Sequence, residues 1–226
     1  MVKAGTHQIS NSLLLVAMLL LLVVEPFFRQ QGFERGVFDI MVSVVLIAAI
    51  WAVSRHRGLL AIGLSLAVPL FLARWALYVV DIHWLVVVWP LLGIAFFAFT
   101  ATVLLRRVLS DTTVTADTIA GSISVYLLLS VIWALIFSLI EAAHPGSFHV
   151  NGSPFEISGS AYHSQLPAFL YLSLITISTV GYGDIVPVTQ PARMLAALEG
   201  VIGQLYLAVL IARLIGLHKP RASHDA

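Results

Sequence analysis

Six runs of predominantly apolar residues, at 11–28, 37–54, 58–80, 84–105, 119–141 and 191–216, leave this chain few ways to fold. Each approaches the roughly 20 residues that an α-helix needs to cross the hydrocarbon core of a bilayer. Inside that core every backbone N–H and C=O must find a partner, which a helix provides within its own segment. A seventh apolar stretch, about 167–178, is too short to span and reads as a re-entrant helix. Composition agrees: 60% of the 226 residues are hydrophobic and 10% are charged, against about 25% charged in soluble domains. The expected fold is an all-α integral membrane protein of six transmembrane helices plus one re-entrant helix.

The basic residues set the orientation. Lys3, then Arg55 and Arg57, then Arg106 and Arg107, then Lys219 and Arg221 fall on one side of a six-span layout. The side rich in Lys and Arg is cytoplasmic. The opposite side carries Glu25, Glu34 and Asp39, then Asp81, then Glu141 and Glu156, with Arg29 and Arg35 as exceptions in a mixed-charge loop. This places both termini in the cytoplasm and the chain in the cell membrane. The first apolar run lacks a small-residue cleavage site and is taken as a retained span. A net charge of +1 gives no reason to expect nucleic acid as a partner. With no cysteine, there is no disulfide, thiol nucleophile or thiolate metal site. The acids and histidines form no catalytic cluster, so no enzyme activity is expected.

After the short apolar stretch comes Thr176-Ile177-Ser178-Thr179-Val180-Gly181-Tyr182-Gly183-Asp184. A dehydrated cation needs closely spaced oxygens aimed at one axis, and backbone carbonyls can supply them. Successive carbonyls of an ordinary strand point to alternate sides. To turn them one way, alternate residues must take positive φ, which Gly181 and Gly183 allow at little steric cost. Thr179 adds a hydroxyl at the inner end of the row. One such strand cannot surround an ion, so several copies must converge. A lone Gly-Tyr-Gly also suits any glycine-rich turn; the short helix before it and the spans on either side give the reading its weight.

Thr179 to Gly183 match the signature of potassium channels residue for residue, and residues 119–217 resemble the pore domain of that family: outer helix, outer loop, pore helix, filter and inner helix. The whole chain resembles the six-transmembrane, one-pore-loop potassium channels of the voltage-gated superfamily, of the short prokaryotic type without arginines on the fourth span. The resemblance implies a homotetramer in membrane lipid. It also implies potassium as the permeant ion, bound at Thr179, Val180, Gly181 and Tyr182, with no other cofactor. Residues 1–105 match by layout only, as a four-helix, voltage-sensor-like domain. A working sensor carries about three to four gating charges, whereas Trp84 to Leu105 carry none. Little voltage dependence is therefore expected, and Pro90 and Gly93 are expected to kink this span. Residues 106–118 are expected to be a cytoplasmic linker, with Asp111 or Asp117 capping the next helix. Residues 218–226 are expected to form a short cytoplasmic tail, and with nine residues after Leu217 no regulatory domain is expected there.

Pro167 fits the first turn of the pore helix, followed by Ala168 to Ser178, with the negative helix end toward the cavity. The family places two consecutive aromatics on this helix, as a cuff that props the filter. Here Tyr171 stands at the first position and Leu172 at the second. Tyr171 is expected to bond Asp184, while Leu172 bonds nothing. Glu199, inside the sixth span, is costly unless protonated or bonded; Ser173, Thr176 and Ser178 are its candidate partners. Gly203 and Gly200 read as hinge glycines of the inner helix or as close packing against the pore helix. By resemblance Gln204, Leu207 and Ile211 line the ion cavity, and Arg213 at the inner mouth snorkels or acts on the gate. Glu141 either ties the outer helix to the filter's outer end or is merely solvated.

Arg74 is the one charge within the third span. It reads as an ion pair with Asp81 or as a snorkelling cation, with a gating or lipid role as the alternative. The second span is read as offering no interior acid. Residues 142–166 form an outer loop whose histidines, His144, His149 and His163, match no metal spacing. Two other readings stay open. One is a potassium-transporter subunit, although such proteins carry four filter-like loops in one chain. The other is a non-conducting channel-like subunit, supported only by the altered cuff.

Overall fold

The computed structural model describes residues 10–28, 34–54, 57–76, 84–155 and 162–217. Its helices are α1 (Ser10–Phe28), α2 (Glu34–Val53), α3 (Arg57–Ala76), α4 (Leu85–Ser110), α5 (Ala116–Ala143), α6 (Tyr162–Ile177) and α7 (Gln190–Leu217). Among the described residues α3, α4, α5 and α7 are long and apolar enough to cross a membrane, while α1, α2 and α6 carry shorter apolar windows. The chain is a membrane protein.

Helices outrun the apolar runs that announce them. α4 continues past Arg106 and Arg107 to Ser110, and α5 starts at Ala116. The expected linker 106–118 is therefore mostly helical, and only residues 111–115 are not. Asp111 stops α4 with extended backbone, φ −63° and ψ 134°. Thr115 caps α5, its hydroxyl accepting from the Thr118 N–H at 3.2 Å; this is the role expected of an aspartate. The carboxylates instead hold side chains. Asp111 accepts from the Thr118 hydroxyl at 2.8 Å, and Asp117 accepts from Asn11 of α1 at 2.9 Å. Arg107 donates to the carbonyl of Ala52 at the end of α2, at 3.2 Å. α1, α2, α4 and α5 are thus pinned together at one end of the bundle.

The first four helices pack on the α5 of their own chain, chiefly through α4 and α1. Gly93 makes a close contact of α4 with α5: a Cβ there would lie 2.8 Å from the Leu135 side chain. Its smallness serves this contact. The expected partner of Arg74, Asp81, lies outside the described residues, and the guanidinium does not snorkel. It pairs with Asp39 of α2, Nε to Oδ1 at 2.7 Å and Nη2 to Oδ1 at 2.6 Å, and lies over Trp89 with its carbon 4.8 Å from the ring centroid. Asp39 is 1% exposed. The second helix does supply an interior acid, one turn inside its end.

The outer loop departs from the wholly helical expectation. β1 (Phe148–Val150), β2 (Ser153–Pro154) and β3 (Ile185–Pro187) form an antiparallel sheet in the order β2–β1–β3. Asn151 and Gly152 join β1 to β2 with φ of 51° and 83°, the positive pair that a two-residue hairpin loop favours. Phe148 roots the sheet. It is fully buried, its ring 5.4 Å from Phe137 of α5 and 5.0 Å from Phe169 of α6. α6 begins at Tyr162, so Pro167 lies inside the helix and not in its first turn. Proline forfeits one intrahelical hydrogen bond there. Burial of Leu166, Phe169 and Leu170 holds the helix together across it.

Candidate functional site

The end of α6 unwinds into a hanging strand. Ser178 N–H still donates to Leu174 O at 3.2 Å, and Thr179 N–H to Thr176 O at 3.0 Å. The N–H groups of Val180 and Gly181 both turn back to Ile175 O, at 2.8 and 3.1 Å. Thr179, Gly181 and Gly183 have φ of 60°, 55° and 80°, while Val180 and Tyr182 between them do not cross to positive φ. Such alternation is what turning successive carbonyls toward one side requires, since an ordinary strand opposes them. None of the carbonyls from Thr179 to Gly183 accepts a hydrogen bond among the described residues. Positive φ at the two glycines was expected, whereas at Thr179 it is an added strain, since a β-branched residue rarely sits there. The bonds from residues 178 to 181 into the helix end hold it. The row lies on the surface of the chain, with Val180 51% and Tyr182 74% exposed.

Behind this row the cuff residues part company. Tyr171 is exposed and its phenol interacts with the Asp184 carboxylate. Asp184 is also fixed through its backbone carbonyl, which accepts from Asn151 N–H at 2.8 Å. Leu172 is buried in its own chain's core and bonds nothing. Of the three hydroxyls considered for Glu199, Ser173 is the partner, donating to Oε1; Oε2 is buried without a partner among the described residues. Ser178 instead donates to Leu174 O. Thr176 contributes its carbonyl to the turn. Two tyrosines that sequence reasoning passed over complete the support. Tyr126 of α5 donates to Ile177 O at 3.0 Å, Tyr206 of α7 donates to Ser122 O at 2.6 Å, and their rings stack at 5.9 Å. The terminal carbonyls of α6 are thus taken by the strand and by Tyr126, which reduces the bare negative charge expected at that helix end.

α7 buries one narrow stripe, Ala192, Ala196, Glu199 and Gly203. Gly203 is a packing residue here: a Cβ would lie 2.8 Å from the Ile177 carbonyl oxygen and 2.4 Å from Ile177 Cγ1. Gly200 is looser, with Thr176 O at 4.0 Å. Gln204 and Ile211 are exposed and Leu207 half-buried. Arg213 neither snorkels nor stands free; it donates to the carbonyls of Leu109 and Asp111, tying the end of α7 to the α4–α5 connection. Backbone carbonyls in and just after the last turn of a helix lack an intrahelical donor and draw a cation.

Glu141 is fully buried, not solvated, and accepts from Gly146 N–H at 2.6 Å and Phe148 N–H at 3.0 Å. It reaches the outer end of the row only indirectly, through β1 and its pairing with β3, which follows the row. The Asn151-Gly152 dipeptide was the signal available for this sheet. His144 and His149 belong to no metal-holding cluster among the described residues; the His163 side chain lies outside them.

Residues 114–217 match a family described as ion channel. The matched stretch carries α5, the outer sheet, α6, the hanging strand and α7. The chain is also similar to Protein LctB of Geobacillus stearothermophilus, 34% identical over 84 residues, which make up 37% of this chain and 59% of that protein. The chain thus spans 59% of the length of that relative. No solved structure matches.

Proposed function

We propose that the chain is one subunit of a homotetrameric, potassium-selective channel of the cell membrane, passing potassium passively and with little voltage dependence. The observation that carries this reading is the Thr179–Gly183 row: alternate positive φ, N–H groups of residues 178 to 181 bonded back into α6, and carbonyls left without partners. Four such rows around an axis replace the hydration shell of an ion with rings of carbonyl oxygens. Thr179 hydroxyls close the inner end. The residues behind the row, Tyr171, Ser173, Thr176, Ser178, Asp184 and Glu199, keep it in shape, and Leu172 packs without bonding.

Assembly is supported by the exposure of the row and by the apolar surface that α7 leaves bare, including Met194, Leu198, Val201 and Leu205. Neighbouring copies and the ion cavity, lined by Gln204, Leu207 and Ile211, would cover it. The excess of Lys and Arg on one side of the six-span layout supports a cytoplasmic location for both termini. Voltage has little to act on. α4 is uncharged until Arg106, and Arg107 is bonded to Ala52 O.

Potassium flux from liposomes holding the purified protein, with sodium as the control ion, tests the proposal. Potassium should leave and sodium should not, with only a shallow dependence on applied voltage. Gly181→Ala should abolish selective flux, because φ of 55° is strained for any residue with a Cβ. Equal passage of both ions, or unaltered flux in Gly181→Ala, contradicts the proposal.

A further inference from the structure

Between α2, α3, α4, α5 and α6, with Leu21 of α1 also in its wall, lies a cavity of about 40 Å³ whose lining includes Phe71 and Trp75 on α3 and Leu166 and Leu170 on α6. Its ends differ. Phe71 and Trp75 are 41% and 39% exposed, whereas Trp89, Leu166 and Leu170 are buried. The mouth therefore opens on the membrane-facing seam between α2 and α3, and the blind end abuts the pore helix. That seam is less extensive than the contact of α1 with α2 or of α3 with α4. Apart from Asp39, Ser43 and Arg74, the lining is glycine, aliphatic or aromatic. One water needs roughly 10–15 Å³ but also two to four polar partners. The blind end offers none, so hydrocarbon is the medium that fits it.

A polar group at the mouth lacks an acceptor among the described residues. Arg74 is 6% exposed and bonds Asp39 through Nε and Nη2; its Nη1 is buried and has no hydrogen-bond partner among the described residues. An unbonded guanidinium arm is costly at membrane depth. Arg74 sits in the last turn of α3, close to the level where a bilayer presents its ester and phosphate oxygens.

We propose that this cavity binds a glycerophospholipid of the surrounding bilayer. One acyl chain threads between α2 and α3 to Leu166 and Leu170, and a lipid ester or phosphate oxygen accepts from Arg74 Nη1. The site does not rest on the potassium reading; it needs only a chain embedded in a bilayer. It brings a lipid against the helix that carries the Thr179–Gly183 row.

The test uses wild-type protein reconstituted with a phospholipid bearing a diazirine near the end of one acyl chain, photolysed and mapped by peptide mass spectrometry. Leu166 and Leu170 are beyond the reach of bulk lipid, so adducts on them and on Trp89 are expected. Adducts confined to membrane-facing positions such as Phe71 and Leu72 overturn the proposal. Val42→Phe, which puts a ring at the rim, should cut labelling of Leu166 and Leu170 severalfold while sparing Leu72; undiminished labelling refutes the route. A diazirine-bearing alkane without an oxygen acceptor should label the blind end of the wild-type protein less than the phospholipid does. Equal labelling removes Arg74 from the site and overturns the lipid assignment.

Discussion

Replacing Gly203 by alanine asks whether α7 is held against α6 by contact or bends there freely. A Cβ at this position meets Ile177 Cγ1 at 2.4 Å and the Ile177 carbonyl oxygen at 2.8 Å. The side chain can rotate away. The carbonyl cannot, because it ends α6 and accepts the Tyr126 hydroxyl at 3.0 Å. Restoring ordinary contact, from 2.8 Å to 3.4 Å, moves α7 off α6 by about 0.6 Å. Overpacking of this kind costs roughly 1–3 kcal/mol. Alanine recovers about 1 kcal/mol of helix propensity, so the net expectation is a destabilisation of up to about 2 kcal/mol. The displacement is transmitted to the row, since residues 178–181 hang from the turn that Ile177 completes. Gly200→Ala is the matched control, because its Cβ has Thr176 O at 4.0 Å and meets nothing closer. Thermal unfolding in detergent, followed by potassium flux in liposomes, reads both effects. Gly203→Ala should lower the midpoint and the flux, and Gly200→Ala should do neither. A Gly203→Ala protein as stable as Gly200→Ala, with unchanged flux, refutes the contact argument.

Asp39→Ala strands the Arg74 guanidinium and should cost about 3–5 kcal/mol, whereas Asp39→Leu with Arg74→Met should lie near wild type; thermal unfolding that ranks the two alike contradicts a buried ion pair. Ser173→Ala removes the donor to Glu199 Oε1 and should cost roughly 1–3 kcal/mol. If the row binds potassium as proposed, potassium should protect against heat and Ser173→Ala should weaken that protection; unchanged protection would take Ser173 and Glu199 out of the support of the row. Glu141→Ala frees the N–H groups of Gly146 and Phe148, each bond to a charged acceptor being worth about 1.5–3 kcal/mol. Hydrogen exchange across 146–155 should then quicken while the middle of α5 stays protected; slow exchange in both would show that the carboxylate is not what holds the outer sheet.

The long helices and the hanging strand were legible because both follow from constraints that act on every residue in a stretch. Apolar runs must become helices in lipid, and paired glycines permit the reversal of φ that the row shows. The partner of Glu199 was narrowed to three hydroxyls, since a carboxylate inside a span must bond to something nearby. What escaped depended on single contacts between distant residues. Asp39 counts with the charges of the non-cytoplasmic side although it falls within the 37–54 run, and nothing local marks it as a buried partner because Arg74 is 35 positions away. Thr115 displaced two aspartates as the cap because Asp111 and Asp117 are occupied by Thr118 and Asn11. Strands of two and three residues are too short for an alternating pattern, although Asn151-Gly152 marked their turn. Pro167 read as a helix start by rule, but buried residues on either side carry the helix through it. Thr179 carries positive φ that no sequence rule assigns to threonine.

Potassium selectivity itself is tested most directly by the bi-ionic reversal potential of the reconstituted protein, with potassium on one side of a bilayer and sodium on the other. A row of dehydrating carbonyls built for potassium predicts a strongly displaced potential that follows the potassium gradient and ignores the sodium gradient. A potential near zero, moving equally with either ion, would contradict it.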